Sequence, residues 1–458
     1  MQEFVSKLLF LFAVAALAFA YGFVSHWKQI FPYELLRDAN IAFDALLQAR
    51  KEAVRLKNLD FWDDSGITGP VYKLNSATGI DENVFILGND LAYGDASTGA
   101  SYLAWIADRS GKVLHAWRDP GEIWAPLQDR SSVGGDWRSY PVGAHLFANG
   151  DILVSYQGVN VFPISMGIAR FNKDSNLVWK NTGLFHHWFT VGPDDEIYVP
   201  DTVLAASPMA FPDHRKSIVC EQGTVVYDAL AILDANGTRI RTIDLLAALV
   251  NSDLLGLINT AGQHSTEIRT CDPLHLNDIQ VLDAAKAAEF PGLDPGDLLL
   301  SFRSLNAIGV LDPDTETFKW FYVGAPHEQH SARFYTDNRI LLFDNYGGRI
   351  SRGTSRVLSV NLGSSLAETV FPRPDSSLPQ HAFYSDTAGH IDIDPAGNRV
   401  LVAFTHQGLV LEIDAGTGEV LWEFVNTHPV DGRPGRVSVY TAKYAGGIAF
   451  PMNSGELH

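Results

Sequence analysis

GDLLLSF at 296–302 leads into GVLDPDTETFKWF at 309–321: a short apolar strand, then a second that turns at Asp-Pro and ends on a tryptophan and a phenylalanine. The chain repeats this couplet. Its first half recurs as FILGND (85–90), NGDILVSY (149–156), DDEIYVP (194–200), DNRILLFDN (337–345) and GNRVLVAF (397–404). Its second half recurs as WIADRSGKVLHAW (105–117), IARFNKDSNLVW (168–179), AILDANGTRIRTI (231–243), LSVNLGSSLAETVF (358–371) and LEIDAGTGEVLWEF (411–424). A unit that cannot bury both its faces alone must stack against neighbours. Six such units predict an all-β, six-bladed β-propeller, with a central channel on which side chains converge. The turns use Asn-Gly, Asp-Pro and Gly-Thr-Gly, which suit hairpins. Trp117, Trp179, Trp320 and Trp422 follow the turns and are expected to pack between blades rather than to hold a ligand.

The 458 residues are 46% apolar, ample for a large core. Length alone suggests two or three domains, but propeller blades are not independent, so residues 66–458 are expected to form one closed body. The net charge is −19 and there is no Lys/Arg run, which argues against nucleic acid as a partner. Only Cys220 and Cys271 are present. They join in one disulfide if the compartment is oxidising, or stand as two small buried residues; the sequence leaves both open.

The run LLFLFAVAALAFAYGFV (8–24) sits behind Lys7 and ahead of His26 and Lys28. It reaches the length that spans a bilayer, and Ala18-Phe19-Ala20 also offers a signal-peptide cleavage site. Tyr21, Trp27, Phe31 and Tyr33 would form an interfacial belt, which favours an uncleaved anchor over residues 1–29. Either reading sends the chain from about residue 30 onward across a membrane and places the propeller on the periplasmic or extracytoplasmic side. Residues 30–65 are expected as a helical linker, since leucines and isoleucines recur at helical spacing between charges over 31–58. Three interruptions of the repeat stand out: a loop-like insertion within 201–230, a helical excursion within 244–270, and a helical turn at 282–293. Insertions of this kind gather on a functional face.

Histidines recur ahead of the apolar strands. His187 and His330 fall at the same offset from Ile197 and Ile340. His275 precedes GDLLLSF by a longer path, and Arg303 directly follows that strand. Equivalent offsets in a propeller share a height on the axis, so His187, His275, His330 and Arg303 are expected to converge on the channel. Imidazole serves as nucleophile, acid, base or oxyanion donor, and guanidinium clamps a tetrahedral oxyanion. The set suits transfer of a sulfuryl or phosphoryl group; no P-loop or Mg²⁺ carboxylate cluster accompanies it. A three-histidine metal site is the rival use of the same residues. His186 should face away from His187 on an extended chain and is read as structural, and His327 should likewise point elsewhere. His145, His264, His381 and His390 lack a comparable pattern, and surface or packing roles are expected for them.

The HH-x5-PDD segment (186–195), HLND (275–278) followed by SFR (301–303), and QHSARF (329–334) leading into ILLFDN (340–345) resemble the bacterial arylsulfate sulfotransferases over roughly residues 80–425. The resemblance implies a six-bladed propeller that passes a sulfuryl group from an aryl sulfate donor to a phenolic acceptor through a channel sulfohistidine, without the nucleotide donor PAPS. It implies that His330 is the sulfohistidine and that His187, His275 and Arg303 hold the sulfate. No cofactor or metal is expected. Well-known members carry a β-sandwich before the propeller and a short-spaced cysteine pair, neither of which this sequence shows. A noncatalytic, membrane-anchored binding or assembly module stands as the alternative.

Overall fold

The computed structural model describes residues 2–28, 31, 61–62, 71–75, 82–88, 94–95, 100–118, 120–121, 123–124, 138–159, 161–211, 216–261, 263–264, 267–345, 354–373, 384–430 and 433–446. Two compact units divide the chain, Met1–Lys57 and Asn58–His458. In the first, the apolar run forms one helix, Gln2–Lys28, whose described side chains are exposed apart from Ser25. Its segment Phe4–Ser25 is long and apolar enough to cross a membrane, a property that signal sequences share. Most of the expected helical linker lies outside the described residues. Phe61–Trp62, at its end, is not helical: it pairs antiparallel with Arg433–Arg436.

The second unit contains six antiparallel blades, as the repeat predicts. Blade one is Arg138–Leu146, Ile152–Val159, Ser165–Phe171 and Leu177–Asn181, in order from the channel outward. Blade two is Thr190–Val191, Ile197–Ala206, Thr224–Leu233 and Arg239–Asp244. Blade three is Leu276–Val281, Leu298–Phe302, Ala307–Asp312 and Thr317–Val323. Blade four is His330–Phe334, Arg339–Asp344, Arg356–Asn361 and Ala367–Phe371. Blade five is His390–Ile393, Arg399–Phe404, Leu409–Asp414 and Val420–Val425, with Val71–Leu74 added at its outer edge. Blade six takes its inner strand, Val439–Tyr444, from late in the chain and pairs it with Val84–Gly88, followed by Ala100–Ala107 and Val113–Arg118. That composite blade closes the ring.

The second strand of each blade is apolar on both faces because both faces are buried. Along a strand, side chains alternate sides. Leu341 and Phe343 therefore pack toward blade five with Val400 and Val402, while Ile340 and Leu342 pack toward blade three with Leu299 and Ile308. Leu401 and Ala403 in turn meet Val84 and Ile86 of blade six. The tryptophans span the same seams. Trp117 Nε1 donates to Gly150 O at 3.2 Å, Trp320 Nε1 to Leu362 O at 3.1 Å, and Trp422 Nε1 to Arg109 O at 3.0 Å, each acceptor lying in a turn of the next blade. Trp179 lies over Gly237, where a Cβ would come within 2.5 Å of the ring and φ is +79°. Only glycine suits that turn.

The interruptions resolve differently. Residues 244–270 contain the helix Leu245–Asn251, capped by the Asp244 side chain, and the 3₁₀ turn Leu255–Ala261. Residues 282–293 contain the short helix Ala284–Ala287, capped by Asp283. The insertion within 201–230 carries strands among its described residues. The hairpin of blade two extends to Ala206 and Thr224, and Met209–Ala210 and Ser217–Val219 form a small sheet with Gln263–His264 and Glu267–Arg269. Cys220 and Cys271 are joined, tying that sheet to the segment that leads into His275.

Candidate active site

Three blades deliver their histidines through the same local device. His187 and His275 have φ of 52° and 55°, and in blade four Ser331, just after His330, has φ of 50°. A left-handed residue breaks the regular alternation where the chain turns into an inner strand. Bulges at Leu276/Asp278 and His330/Ala332 accompany it. His330 opens its inner strand, whereas His187 stands three residues ahead of Thr190–Val191. The left-handed turn at His187 is also why the expectation for His186 does not hold. The two neighbouring rings do not diverge; their Nδ1 atoms lie 2.6 Å apart.

All four expected residues gather. The His187 and His275 rings are 5.0 Å apart. Arg303, on the 3₁₀ turn Arg303–Leu305 after blade three's second strand, donates its backbone N–H to His275 O at 3.0 Å. Its positive charge acts on His187, His275 and His330 alike, lowering the proton affinity of each. Arg303 Nη2 is 2.5 Å from Glu328 Oε2, and its Nε is buried without a partner within the protein.

The hydrogen-bond network sets a different proton pattern on each imidazole. Asn345 Nδ2 donates to Ser385 O and Ala388 O, so its Oδ1 is an acceptor, 2.8 Å from His330 Nδ1. His330 therefore carries its proton on Nδ1. Burial, reinforced by Arg303, holds its pKa down at about 3 against the opposing Asn345 bond. The ring is neutral and Nε2 keeps its lone pair. Tyr140 O–H donates to Gln157 Oε1 at 3.1 Å, which turns the Gln157 amide N–H toward His187 Nδ1 at 3.2 Å. With that donor on Nδ1, His187 bears its proton on Nε2; His186 Nδ1 lies 2.6 Å from the same atom. Burial, then the neighbouring imidazoles and the Arg303 guanidinium, push its pKa well below the usual value.

His275 is the opposite case. Its Nδ1 is hydrogen-bonded to Asp272 Oδ2. Burial alone would lower its pKa, but the Asp272 carboxylate outweighs that and raises it. Asp272 is held below the usual carboxylate range by His275, against its own desolvation. Each partner thus favours the charged form of the other, imidazolium and carboxylate. Asp228 supports the same corner, accepting from Leu276 N at 2.7 Å and lying 3.2 Å from His186 Nε2.

A cavity of about 240 Å³ opens against His186, His187 and His275; His330 and Arg303 lie behind these and are not among its walls. His330 is 2% exposed. Trp188 fills the axis beside it, with ring centroids 6.0 Å from His330 and 6.3 Å from His390. His390 opens blade five's inner strand just as His330 opens blade four's, and its Nε2 lies 3.0 Å from Arg333 Nη2. Among the described residues, no cluster of three His, Cys, Asp or Glu side chains is arranged to hold a metal. Asp272, Asn345, Gln157 and Glu328 escaped the sequence reading. Asp272, three residues ahead of His275, is the one whose spacing offered a signal.

Residues 143–427 match the family model described as arylsulfotransferase (ASST). The chain belongs to the arylsulfotransferase family. The match covers more than half of the chain and includes all four expected site residues. No curated protein matches the sequence. Among solved structures, a Bacteroides caccae protein of unknown function is 12% identical, with a TM-score of 0.44 over 79% of this chain and 98% of its own. TolB from Acinetobacter baumannii is 12% identical, with a TM-score of 0.41 over 80% of this chain and 66% of its own. Virginiamycin B lyase from Staphylococcus aureus is 10% identical, with a TM-score of 0.34 over 64% of this chain and 77% of its own. Likenesses this distant bear on neither activity nor substrate.

Proposed function

We propose that this arylsulfotransferase moves a sulfuryl group from an aryl sulfate ester to a phenolic acceptor in two steps, through a sulfohistidine on His330. In the first step His330 Nε2 attacks sulfur, the S–O bond to the aryl group breaks, and the departing phenolate takes the proton from His275 Nε2. Arg303 and the His187 Nε2–H donate to the non-bridging oxygens as charge grows on them. In the second step the acceptor phenol gives its proton to the now neutral His275, its oxygen attacks sulfur, and the N–S bond breaks. Dividing the displacement keeps each barrier low. The observation that carries this reading is the gathering of His187, His275, His330 and Arg303 in one buried cluster, with Asn345 on His330 Nδ1 and Asp272 on His275 Nδ1. The N-terminal helix would tether the propeller to a membrane, with residues 66–458 on the extracytoplasmic side.

The test is incubation with 4-nitrophenyl sulfate and phenol. Nitrophenol release should require the acceptor and vanish in His330→Ala; a variant with native turnover would eliminate the assignment. One observation favours a second reading, the noncatalytic binding module: His330 is nearly inaccessible, and Glu328 already holds Arg303. Absence of acceptor-dependent release from the native protein would support it.

A further inference from the structure

The cavity beside His187 and His275 has walls that the sulfuryl chemistry does not use. Its outer lip is Phe162-Pro163-Ile164, the connection between the second and third strands of blade one. Phe162 is 50% and Ile164 44% exposed, large apolar side chains held at the mouth of a pocket whose inner end is imidazole. Val226 lines the far side, from the long hairpin of blade two. Ser165, Thr202, Gln222 and Thr224 also line it, but most of its exposed surface is apolar, and a mainly apolar cleft with a few polar groups is the usual form of an aromatic-ligand site.

Size and charge narrow the ligand. A cavity of about 150 Å³ is enough for benzene; this one, at about 240 Å³, has room for a second fused ring. Asp228 and Asp272 both face it. They repel a ring bearing a carboxylate or sulfonate, while His275 at the inner end meets a hydroxyl. We infer that this cavity is the acceptor site and that it selects an uncharged, fused two-ring phenol over a single-ring one. The assignment rests on the transfer reading for its chemistry, but the binding it asserts can be tested without turnover.

The experiment uses the full chain with 2-naphthol and phenol as probes. Binding of 2-naphthol is followed by its fluorescence, and transfer from 4-nitrophenyl sulfate is measured as the ratio of kcat/KM for 2-naphthol to that for phenol. Phe162→Ala removes one ring face at the mouth and should lower the ratio by about three- to ten-fold. Val226→Phe fills the cavity and should abolish 2-naphthol binding, with unchanged near-ultraviolet circular dichroism showing that the ring has folded. Equal ratios in native and variant proteins, or 2-naphthol binding that survives Val226→Phe, would overturn the inference. If the native protein transfers nothing but Val226→Phe still loses 2-naphthol, the cavity is a binding site for two-ring phenols, and the transfer reading falls together with the acceptor role.

Discussion

Asp272→Asn isolates the proton carrier. The substitution keeps the shape of the side chain but removes the charge that raises the His275 pKa. Without it, burial and Arg303 are opposed by Asp228 but no longer by Asp272, and the His275 pKa falls. A contact ion pair at an effective dielectric near 20 attracts by about 4 kcal/mol, which by itself is close to a thousand-fold in rate. Asp272 is crowded on its protein side yet keeps 37% of its side-chain surface, so water screens part of that attraction. The expected loss in kcat/KM is about 10- to 100-fold, at the low end of what a general acid contributes. The loss should depend on the leaving group. Phenyl sulfate, whose phenolate needs the proton, should suffer it in full, and 4-nitrophenyl sulfate only slightly. The pH profile gives the sign. Activity with phenyl sulfate needs protonated His275 and neutral His330, so it rises above about pH 3 and falls as pH climbs through the raised His275 pKa. Asp272→Asn should move the falling limb to lower pH. An equal loss for both donors, or an unmoved limb, would refute the assignment of His275 as the acid.

Two further outcomes arise from the same network. Asn345→Leu frees His330 Nδ1, takes the Asn345 donor from Ala388 O and leaves Ser385 O with Ser355 Oγ; kcat should fall about ten-fold or more with KM little changed, and thermal stability should drop by about 1–3 kcal/mol. The buried neutral histidines should make the fold acid-labile: His330 stays unprotonated down to about pH 3 while the unfolded chain takes up a proton below about 6.5, so His330 alone costs about 2 kcal/mol between pH 6.5 and 5. His275, bound more tightly to its proton when folded, partly offsets this over the same range and loses its contribution as pH rises past its folded pKa. Urea midpoints at pH 7 and 5 measure the sum, and a midpoint that does not fall on acidification would contradict it.

The blades were legible because a strand buried on both faces writes a continuous apolar run, and GDLLLSF or DNRILLFDN leaves little else to read. The inner strands were not. HSARF and LNDIQV line the channel with polar and charged side chains and so lack the apolar signature of their neighbours. Equivalent offsets located His187 and His330, since blade geometry turns sequence spacing into height along the axis. His390 stands at the same offset from Val400 as His330 does from Ile340, so the rule that located the other two reaches it as well. His186 was misread because alternation assumes an extended backbone, and the left-handed turn at His187 cancels it. The partners that assign the protons, Asn345 and Gln157, act from other strands of the sheet and carry no local pattern at all.

Blade six is assembled from both ends of the propeller sequence, with Val439–Tyr444 lying against Val84–Gly88. Until that late segment has been synthesised, the toroid is a gapped horseshoe whose first and last blades each present an open flank. Trp188, whose Nε1 is 3.0 Å from Thr441 Oγ1 in the finished ring, lacks that partner before then. Chemistry at the axis is therefore coupled to completion of the chain: a ribosome that stalls before this strand releases a body with most of its sheets and no competent centre.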